Sequence, residues 1–345
     1  MTAARLIVRP IDDDAFVDIA GTWAAHLPIE QSPLWDRFDA TVDGRDPWRR
    51  LVVAREEGPA LAIISLTRYQ GRGFAFLWAK HGPVWAERPD AHTELALRDA
   101  LAAYVRAEAP WAPFVRLHAW HRAPDLHDLL QTVTYDRTVT IDLTVSDEAR
   151  MAALSKSTRK KLRRTLEDDA VVIADETDRA ADDFGKYYAI LEETAERDGF
   201  GVFGPQVYQG MIRALAPAAR VIVARRTDTG PEGEPPGRAV SWILFTVYDG
   251  AGVNFYSGQT AEGRATNIGV RLRWELMSRL RAEGVVTYDL MGVDSERAPQ
   301  LRGVGAFKRQ FGPEVEVDGA WDLPLRTWRY RALTLALRAK RALRL

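Results

Sequence analysis

Gly284-Val-Val-Thr-Tyr-Asp-Leu-Met-Gly292, followed shortly by Gly303-Val-Gly-Ala-Phe-Lys-Arg-Gln-Phe-Gly312, is the stretch on which the reading turns. The run from Val285 to Leu290 has the apolar, β-branched character of a strand, and the glycines after it predict a loop. Lys308 has Phe307 at i−1 and Phe311 at i+3, which hold its segment against a core while the lysine keeps a fixed position.

Upstream, Asn254-Phe-Tyr-Ser-Gly258 ends a strand (Gly252 to Tyr256) that leads into a helix from about Asn267 to Glu283. Before it come strands at Arg220 to Arg226 and Ala239 to Tyr248. The Pro- and Gly-rich run Thr227 to Arg238 between them reads as an exposed hairpin loop. Helices at Asp182 to Arg197 and Gln206 to Ala214, and a strand at Val171 to Ala174, precede these. The hydroxyl of Ser146 is placed to cap a helix running toward Leu166. Downstream, a basic helix is expected from about Leu325 to Leu345.

The first half repeats the theme. Strands are expected at Arg5 to Arg9, Arg50 to Arg55, Ala60 to Tyr69, Phe74 to Ala79, Phe114 to Ala119 and Val139 to Leu143. Helical spacing appears at Ala15 to Ala25, Gln31 to Asp39 and Thr93 to Ala107. Hairpin-like neighbours mixed with helices argue for an α+β class over a wound parallel sheet. The expected boundary between a first and a second unit falls near Ser146.

The 345 residues are 46% hydrophobic, enough for two ordinary cores. With 47 basic and 48 acidic residues the net charge is −1, so a nucleic-acid site must be a local patch. The absence of cysteine removes disulfides, thiolate metal sites and a cysteine nucleophile. Six histidines remain, but His118 and His121 fall on opposite faces of an alternating run and no ligand set converges, so no metal is expected. No apolar run suits a signal peptide or a membrane span, which predicts a cytoplasmic protein.

Four segments carry a resemblance: Gln31-Ser-Pro-Leu-Trp35; Trp78-Ala-Lys-His-Gly-Pro-Val84; Ser155-Lys-Ser-Thr-Arg-Lys-Lys-Leu-Arg-Arg164 with Glu193-Thr-Ala-Glu-Arg-Asp-Gly199; and the pair quoted first. In this order and spacing the chain resembles the Fem family of tRNA-dependent peptidoglycan bridge aminoacyl transferases. It is similar to a compact form, because no heptad-like helical hairpin interrupts the second half. The resemblance implies two tandem acetyltransferase-like (GNAT-type) domains, the first over 1–145 completed by 320–345 and the second over 146–319, and no cofactor. It also implies an aminoacyl-tRNA donor and a peptidoglycan-precursor acceptor, either a UDP-muropeptide or lipid II.

Aminoacyl transfer is aminolysis of an activated ester, which asks for alignment and charge stabilisation, not a covalent nucleophile. Lys308 matches the family lysine and could face the oxyanion or the phosphates of the tRNA end, with Phe307 lining the substrate. Tyr256 sits where the family has an aromatic strand end, and its phenol could relay a proton or bind the acceptor. Asp289 matches a family aspartate and reads as a loop organiser that could orient the amine.

Lys156, Arg159, Lys160, Lys161, Arg163 and Arg164 are six cations within nine residues. On one helix Lys156, Arg159, Lys160 and Arg163 share a stripe, and with Arg164 they are candidate tRNA-phosphate contacts. The C-terminal arginines and lysine (Arg326, Arg329, Arg331, Arg338, Lys340, Arg341, Arg344) could do the same, or rest on anionic lipid at a peripheral membrane contact.

Arg37, Trp78 and His81 are candidates for the acceptor. Trp78 and His81 stand where the family has a tyrosine and an arginine, and Phe200 to Pro205 lacks the cation expected after the Asp198-Gly199 corner. Two alternatives remain open. A tRNA-dependent amide-forming enzyme with another acceptor would share the donor. An acyl-CoA N-acyltransferase needs a Gly-rich turn opening a helix, and the candidate turn Gly258 to Thr266 has two glycines and places Glu262 where an anion would bind.

Overall fold

The computed structural model describes residues 6–56, 58–71, 73–129, 134–228 and 236–342. They form two compact units, Met1–Asp136 with Val317–Leu345, and Arg137–Glu316.

The first unit opens with β1 (Leu6–Ile11), α1 (Asp13–Gly21), a 3-10 turn (Ile29–Gln31) and α2 (Pro33–Asp39). It continues through β2 (Arg45–Arg55), β3 (Ala60–Gly71), β4 (Phe74–Trp78), β5 (Val84–Trp85), α3 (Ala91–Glu108) and β6 (Phe114–Ala119). Asp12 and Asp90 accept backbone N–H bonds from Ala15 and Thr93 and so start α1 and α3. Leu97, Leu101 and Val105 line the buried side of α3 at helical spacing.

The second unit holds β7 (Arg137–Asp142), α4 (Asp147–Ala153), α5 (Lys156–Leu166), β8 (Val171–Asp175), α6 (Thr177–Asp182), α7 (Gly185–Asp198) and α8 (Pro205–Ala214). There follow β9 (Ala219–Arg226), β10 (Arg238–Tyr248), β11 (Ala251–Gln259), α9 (Ala261–Ala265), α10 (Ile268–Ala282), β12 (Thr287–Gly292), α11 (Arg302–Lys308) and β13 (Glu314–Glu316). The sheet order is β13-β7-β12-β11-β10-β9-β8. A two-residue turn joins β10 to β11 with Asp249 at φ 48° and Gly250 at φ 73°, the left-handed pair that matches strand twist. β11 and β12 run parallel and need a crossover, which α10 supplies. Their pairing stops at Val253 with Asp289, and beyond it the strands part.

The chain then returns to the first unit as β14 (Gly319–Pro324) and α12 (Thr327–Ala342). β14 pairs antiparallel with β6 and completes the order β1-β2-β3-β4-β6-β14, with β5 on β3. Arg116 on β6 donates two bonds to the buried Asp322 on β14, clamping this return.

Several expectations are corrected. The strand expected at Val139 to Leu143 to close the first domain is β7, paired with β12 and β13 in the second sheet, so the division falls at 137 and 317, not at 146 and 320. The helix from Ser146 toward Leu166 is two helices. Leu154 is extended (ψ 149°), and Ser155 caps α5 by accepting from the Thr158 N–H. Helix α1 ends at Gly21, short of Ala25, and α6 was not foreseen. The loop expected after Leu290 contains α11 and β13. Residues 229–235 of the expected hairpin loop and Arg344 lie outside the described residues, as do the side chains of Lys340 and Arg341.

Candidate active site

Where β11 and β12 part, the second unit has a cleft of about 440 Å³. Its walls are Asn254 to Gln259 on β11, Gly269, Val270 and Arg273 on α10, Met291 at the end of β12, and Val304, Phe307 and Lys308 on α11. Phe307 and Lys308, singled out on one segment of the sequence, and Tyr256, on another, therefore meet in one place.

Lys308 ends α11, and its Nζ donates to the carbonyls of Met291 (3.1 Å) and Gly292 (2.8 Å). Burial lowers its pKa to about 7; the Asp289 carboxylate opposes that shift and the Arg273 charge adds to it. The ammonium has one N–H left for a substrate, and the neutral amine has its lone pair. The same atom can thus take a proton or offer one at neutral pH.

The carbonyls under Lys308 come from a disrupted strand end. The β12–β7 register shifts between Asp289 and Gly292, and Met291 adopts φ 61°, which is costly for a residue with a side chain. Asp289 holds this turn: its Oδ1 accepts from the Met291 N–H at 2.7 Å and from the Thr138 hydroxyl. Asp289 does not line the cleft, so its geometry is that of a positioning residue behind Lys308.

Tyr256 lines the wall with its ring edge-on to Tyr208 at 4.9 Å. Phe307 packs against Phe311 at 5.5 Å and under the guanidinium of Arg273 at 4.7 Å. At the solvent side stand Lys161, Arg197 and Arg264. Lys161 Nζ donates to Gln310, and Arg197 pairs with Asp198 while also donating to the Gln259 carbonyl.

The basic helix α5 buries Thr158, Leu162 and Thr165 and turns Lys156, Lys160, Lys161, Arg163 and Arg164 to solvent. Arg159 behaves differently, because its guanidinium donates to the carbonyls of Ala152 and Leu154 and closes the end of α4. The stripe drawn on an unbroken helix therefore mixes one structural arginine with exposed cations.

The acceptor candidates Arg37, Trp78 and His81 lie in the first unit and do not line this cleft. Arg37 is exposed on α2. Trp78 is half-buried against the Arg116 guanidinium (5.1 Å) and the Tyr69 ring (5.0 Å). His81 lies 3.6 Å from Glu30 and stacks at 4.7 Å on His118; burial lowers its pKa to about 4 against the pull of Glu30, so it is neutral at pH 7. It cannot replace an arginine's charge. Glu262, expected to block a phosphate at the α10 turn, is instead bound by Arg226 and Arg238 and does not line the cleft.

Residues 152–309 match the family described as Acetyltransferase (GNAT) domain. The second unit matches a GNAT acyltransferase domain over most of its length. Its cleft at the parted strands, with α10 behind and α11 across, is the site described above. No curated protein matches the sequence. Among solved structures the chain is similar to FemX, with 14% identity and a TM-score of 0.71 over 95% of this chain and 99% of that one. It is also similar to the C-terminal DUF2156 domain of an Agrobacterium fabrum protein named as a candidate lysylphosphatidylglycerol synthetase (15% identity, TM-score 0.53, 94% and 98% covered). A third is a tandem GNAT protein from the clavulanic acid biosynthesis pathway (12%, TM-score 0.52, 93% and 98%). These likenesses span both units, so the fold is two GNAT-type units in tandem, and the resemblance to the Fem family holds at the level of fold.

Four cleft cations are not among the sequence candidates: Lys161, Arg197, Arg264 and Arg273. Arg197 supplies a cation one residue before the Asp198-Gly199 corner and not after it. Lys161 lies off the stripe that was drawn. Arg273 is one of four arginines on α10, and only its burial distinguishes it from Arg271, Arg279 and Arg281. Among the described residues no group of His, Asp or Glu is arranged to hold a metal, and no helix is long and apolar enough to cross a membrane.

Proposed function

We propose that the chain transfers an amino acid from aminoacyl-tRNA to an amine of a peptidoglycan-precursor stem peptide. The carrying observation is Lys308, seated on the Met291 and Gly292 carbonyls in a cleft where it titrates near neutrality. The likeness to FemX across both units supports the same reading.

The chemistry follows from that seat. The acceptor amine attacks the ester carbonyl and forms the C–N bond. Neutral Lys308 takes the proton that the nitrogen sheds. The resulting ammonium faces the oxyanion, then returns the proton to the ribose oxygen as the C–O bond breaks. Ester and amine become amide and alcohol, and the lysine ends as it began. Tyr256 hydrogen-bonds the acceptor, and Phe307 covers the reacting atoms. Lys156, Lys160, Arg163 and Arg164 hold tRNA phosphates without reading sequence, with Lys161, Arg197 and Arg264 guiding the acceptor end of the tRNA into the cleft. Arg37 and Trp78 serve the acceptor in the first unit. The exposed Trp328 and Leu335 alternate along α12 with Arg331 and Arg338, which suits a lipid-linked acceptor at an anionic surface.

The likeness to a tandem GNAT protein whose structure is described as without AcCoA keeps an acyl-CoA donor as a second reading. Against it, the first turn of α10 is covered: an added Cβ on Gly269 would come 2.8 Å from the Gln259 side-chain amide. The test is incubation with radiolabelled aminoacyl-tRNAs, or with labelled acetyl-CoA, and UDP-muropeptide or lipid II. The expected product is an aminoacyl amide on the stem peptide; acetylation from acetyl-CoA alone would replace this reading with the second.

A further inference from the structure

Among the described residues five arginines are buried: Arg50, Arg98, Arg116, Arg150 and Arg273. Four of them rest on carboxylates. Arg50 meets Asp13 and Asp36, Arg98 meets Glu94 and Asp125, Arg116 meets Asp322, and Arg150 meets Asp147. That is the ordinary rule, because a guanidinium removed from water needs a counter-charge.

Arg273 breaks the rule. It is 7% exposed, and no carboxylate among the described residues pairs with it. Its Nη atoms donate only to the Gly269 carbonyl (3.3 Å) and the Ser257 hydroxyl (3.2 Å), and its Nε has no acceptor. Burial lowers its pKa to about 10. The like charge of Lys308 lies close enough to interact with it, and Phe307 covers one face of the guanidinium at 4.7 Å. Two cations thus share the floor of a cleft whose nearby carboxylate, Asp289, is occupied by Thr138 and Met291.

We propose that Arg273 is the receptor for a substrate carboxylate, and that the acceptor is an amine carrying a carboxylate next to the reacting nitrogen. A planar guanidinium with one face covered matches a planar carboxylate edge to edge. The donor's α-carboxyl cannot be that group, since it is the ester under attack. The phosphates of the donor have exposed cations at the rim (Lys161, Arg264), whereas Arg273 lies at the floor beside the reacting lysine. A zwitterionic acceptor also explains why two cations are left together. Its carboxylate neutralises Arg273 and raises the basicity of Lys308, which takes the proton that the amine, bound in its neutral form, sheds as it attacks. The assignment of the carboxylate to the acceptor rests on the transfer reading above; its binding by Arg273 does not.

The test uses the full chain and three small probes at equal ionic strength: N-acetylglycine, N-acetylglycinamide and dimethyl phosphate. N-acetylglycine should raise the melting temperature of the wild type by about 3 °C at roughly tenfold its dissociation constant, and the amide should not. Arg273→Met should melt higher than wild type without probe, because the uncompensated charge is gone, and should ignore N-acetylglycine. Arg273→Lys, which keeps the charge and loses the fork, should show a weakened response. If N-acetylglycine and its amide act alike, or if Arg273→Met still responds to the acid, the site is not a carboxylate receptor. A response to dimethyl phosphate that exceeds the response to N-acetylglycine and vanishes in Arg273→Met would give the subsite to a phosphate and overturn the proposal. If carboxylate binding holds while no aminoacyl transfer is found, the transfer reading falls and the receptor stands.

Discussion

Lys308 and Asp289 hold the same residue, Met291, at its two ends: Nζ donates to the Met291 carbonyl at 3.1 Å, and the carboxylate accepts from the Met291 N–H at 2.7 Å. The strained φ of 61° at Met291 is what lets one residue serve both. The lysine's seat, its depressed pKa and the aspartate's distance from the cleft are therefore one device.

The device has a cost that stability measurements can read. Burial lowers the Lys308 pKa from its ordinary 10.5 to about 7, so between those values the unfolded chain binds more protons than the folded one and stability rises with pH. Lys308→Met should melt above wild type at pH 6. That advantage should shrink as pH rises from 7 toward 10, by up to about 1.4 kcal/mol per pH unit. Thermal unfolding across that range checks it, and an advantage constant with pH would place Lys308 in water.

The basic helix should divide by role. Lys160→Glu with Arg163→Glu should lower the salt slope of tRNA binding by roughly two units, about one per lost phosphate contact, with little change in melting. Arg159→Gln should leave the slope nearly unchanged and destabilise the fold by about 1 kcal/mol, since it loses the end of α4. Binding titrations at several salt concentrations, paired with melts, separate the two.

Gly305 sits on α11 three residues before Lys308, where a Cβ would overlap the Asp294 carboxylate that Arg309 also binds at 2.7 Å. Gly305→Ala should displace α11 and the lysine with it. We expect a loss of about 1 to 3 kcal/mol in stability and a fall in kcat larger than any change in KM. An Ala variant with wild-type kcat would show that α11 is not what places Lys308.

In the first unit His81 is neutral where the family has an arginine, and Trp78 is half-buried against Arg116. Removing the nucleotide diphosphate from a muropeptide acceptor should therefore cost about 1 kcal/mol or less, against roughly 2 to 3 kcal/mol for two charge-assisted contacts. Titration of the same muropeptide with and without the nucleotide measures this. A hundredfold loss would mean that a phosphate site exists, with Arg37 first among its candidates.

Much of the fold was legible because its signals are local. Alternating apolar runs gave β2, β3, β6, β9 and β10, and the four motifs pointed to tandem GNAT units. β14 was missed because six residues ending in proline carry little signal, and their partner β6 lies about two hundred positions earlier. The stripe lies within α5 as expected, but the break at Leu154 frees the carbonyls that take up Arg159, and local propensity does not show that break. Lys308, Tyr256 and Phe307 stood out in motifs, but Arg273 did not. An arginine on an amphipathic helix reads as solvated until the strands that bury it are in place.

The most direct measurement is the pH dependence of kcat/KM for the amine acceptor with aminoacyl-tRNA as donor. The account predicts that the rate rises about tenfold per pH unit below pH 7 and levels above it, as Lys308 becomes neutral. Asp289→Asn should move that limb to lower pH, because the carboxylate is what holds the lysine's pKa up. Lys308→Ala should abolish the limb and cut turnover by roughly 10². A rate that falls as pH rises through 7, or a limb that survives in Lys308→Ala, would contradict the claim that Lys308 takes the proton of the attacking amine.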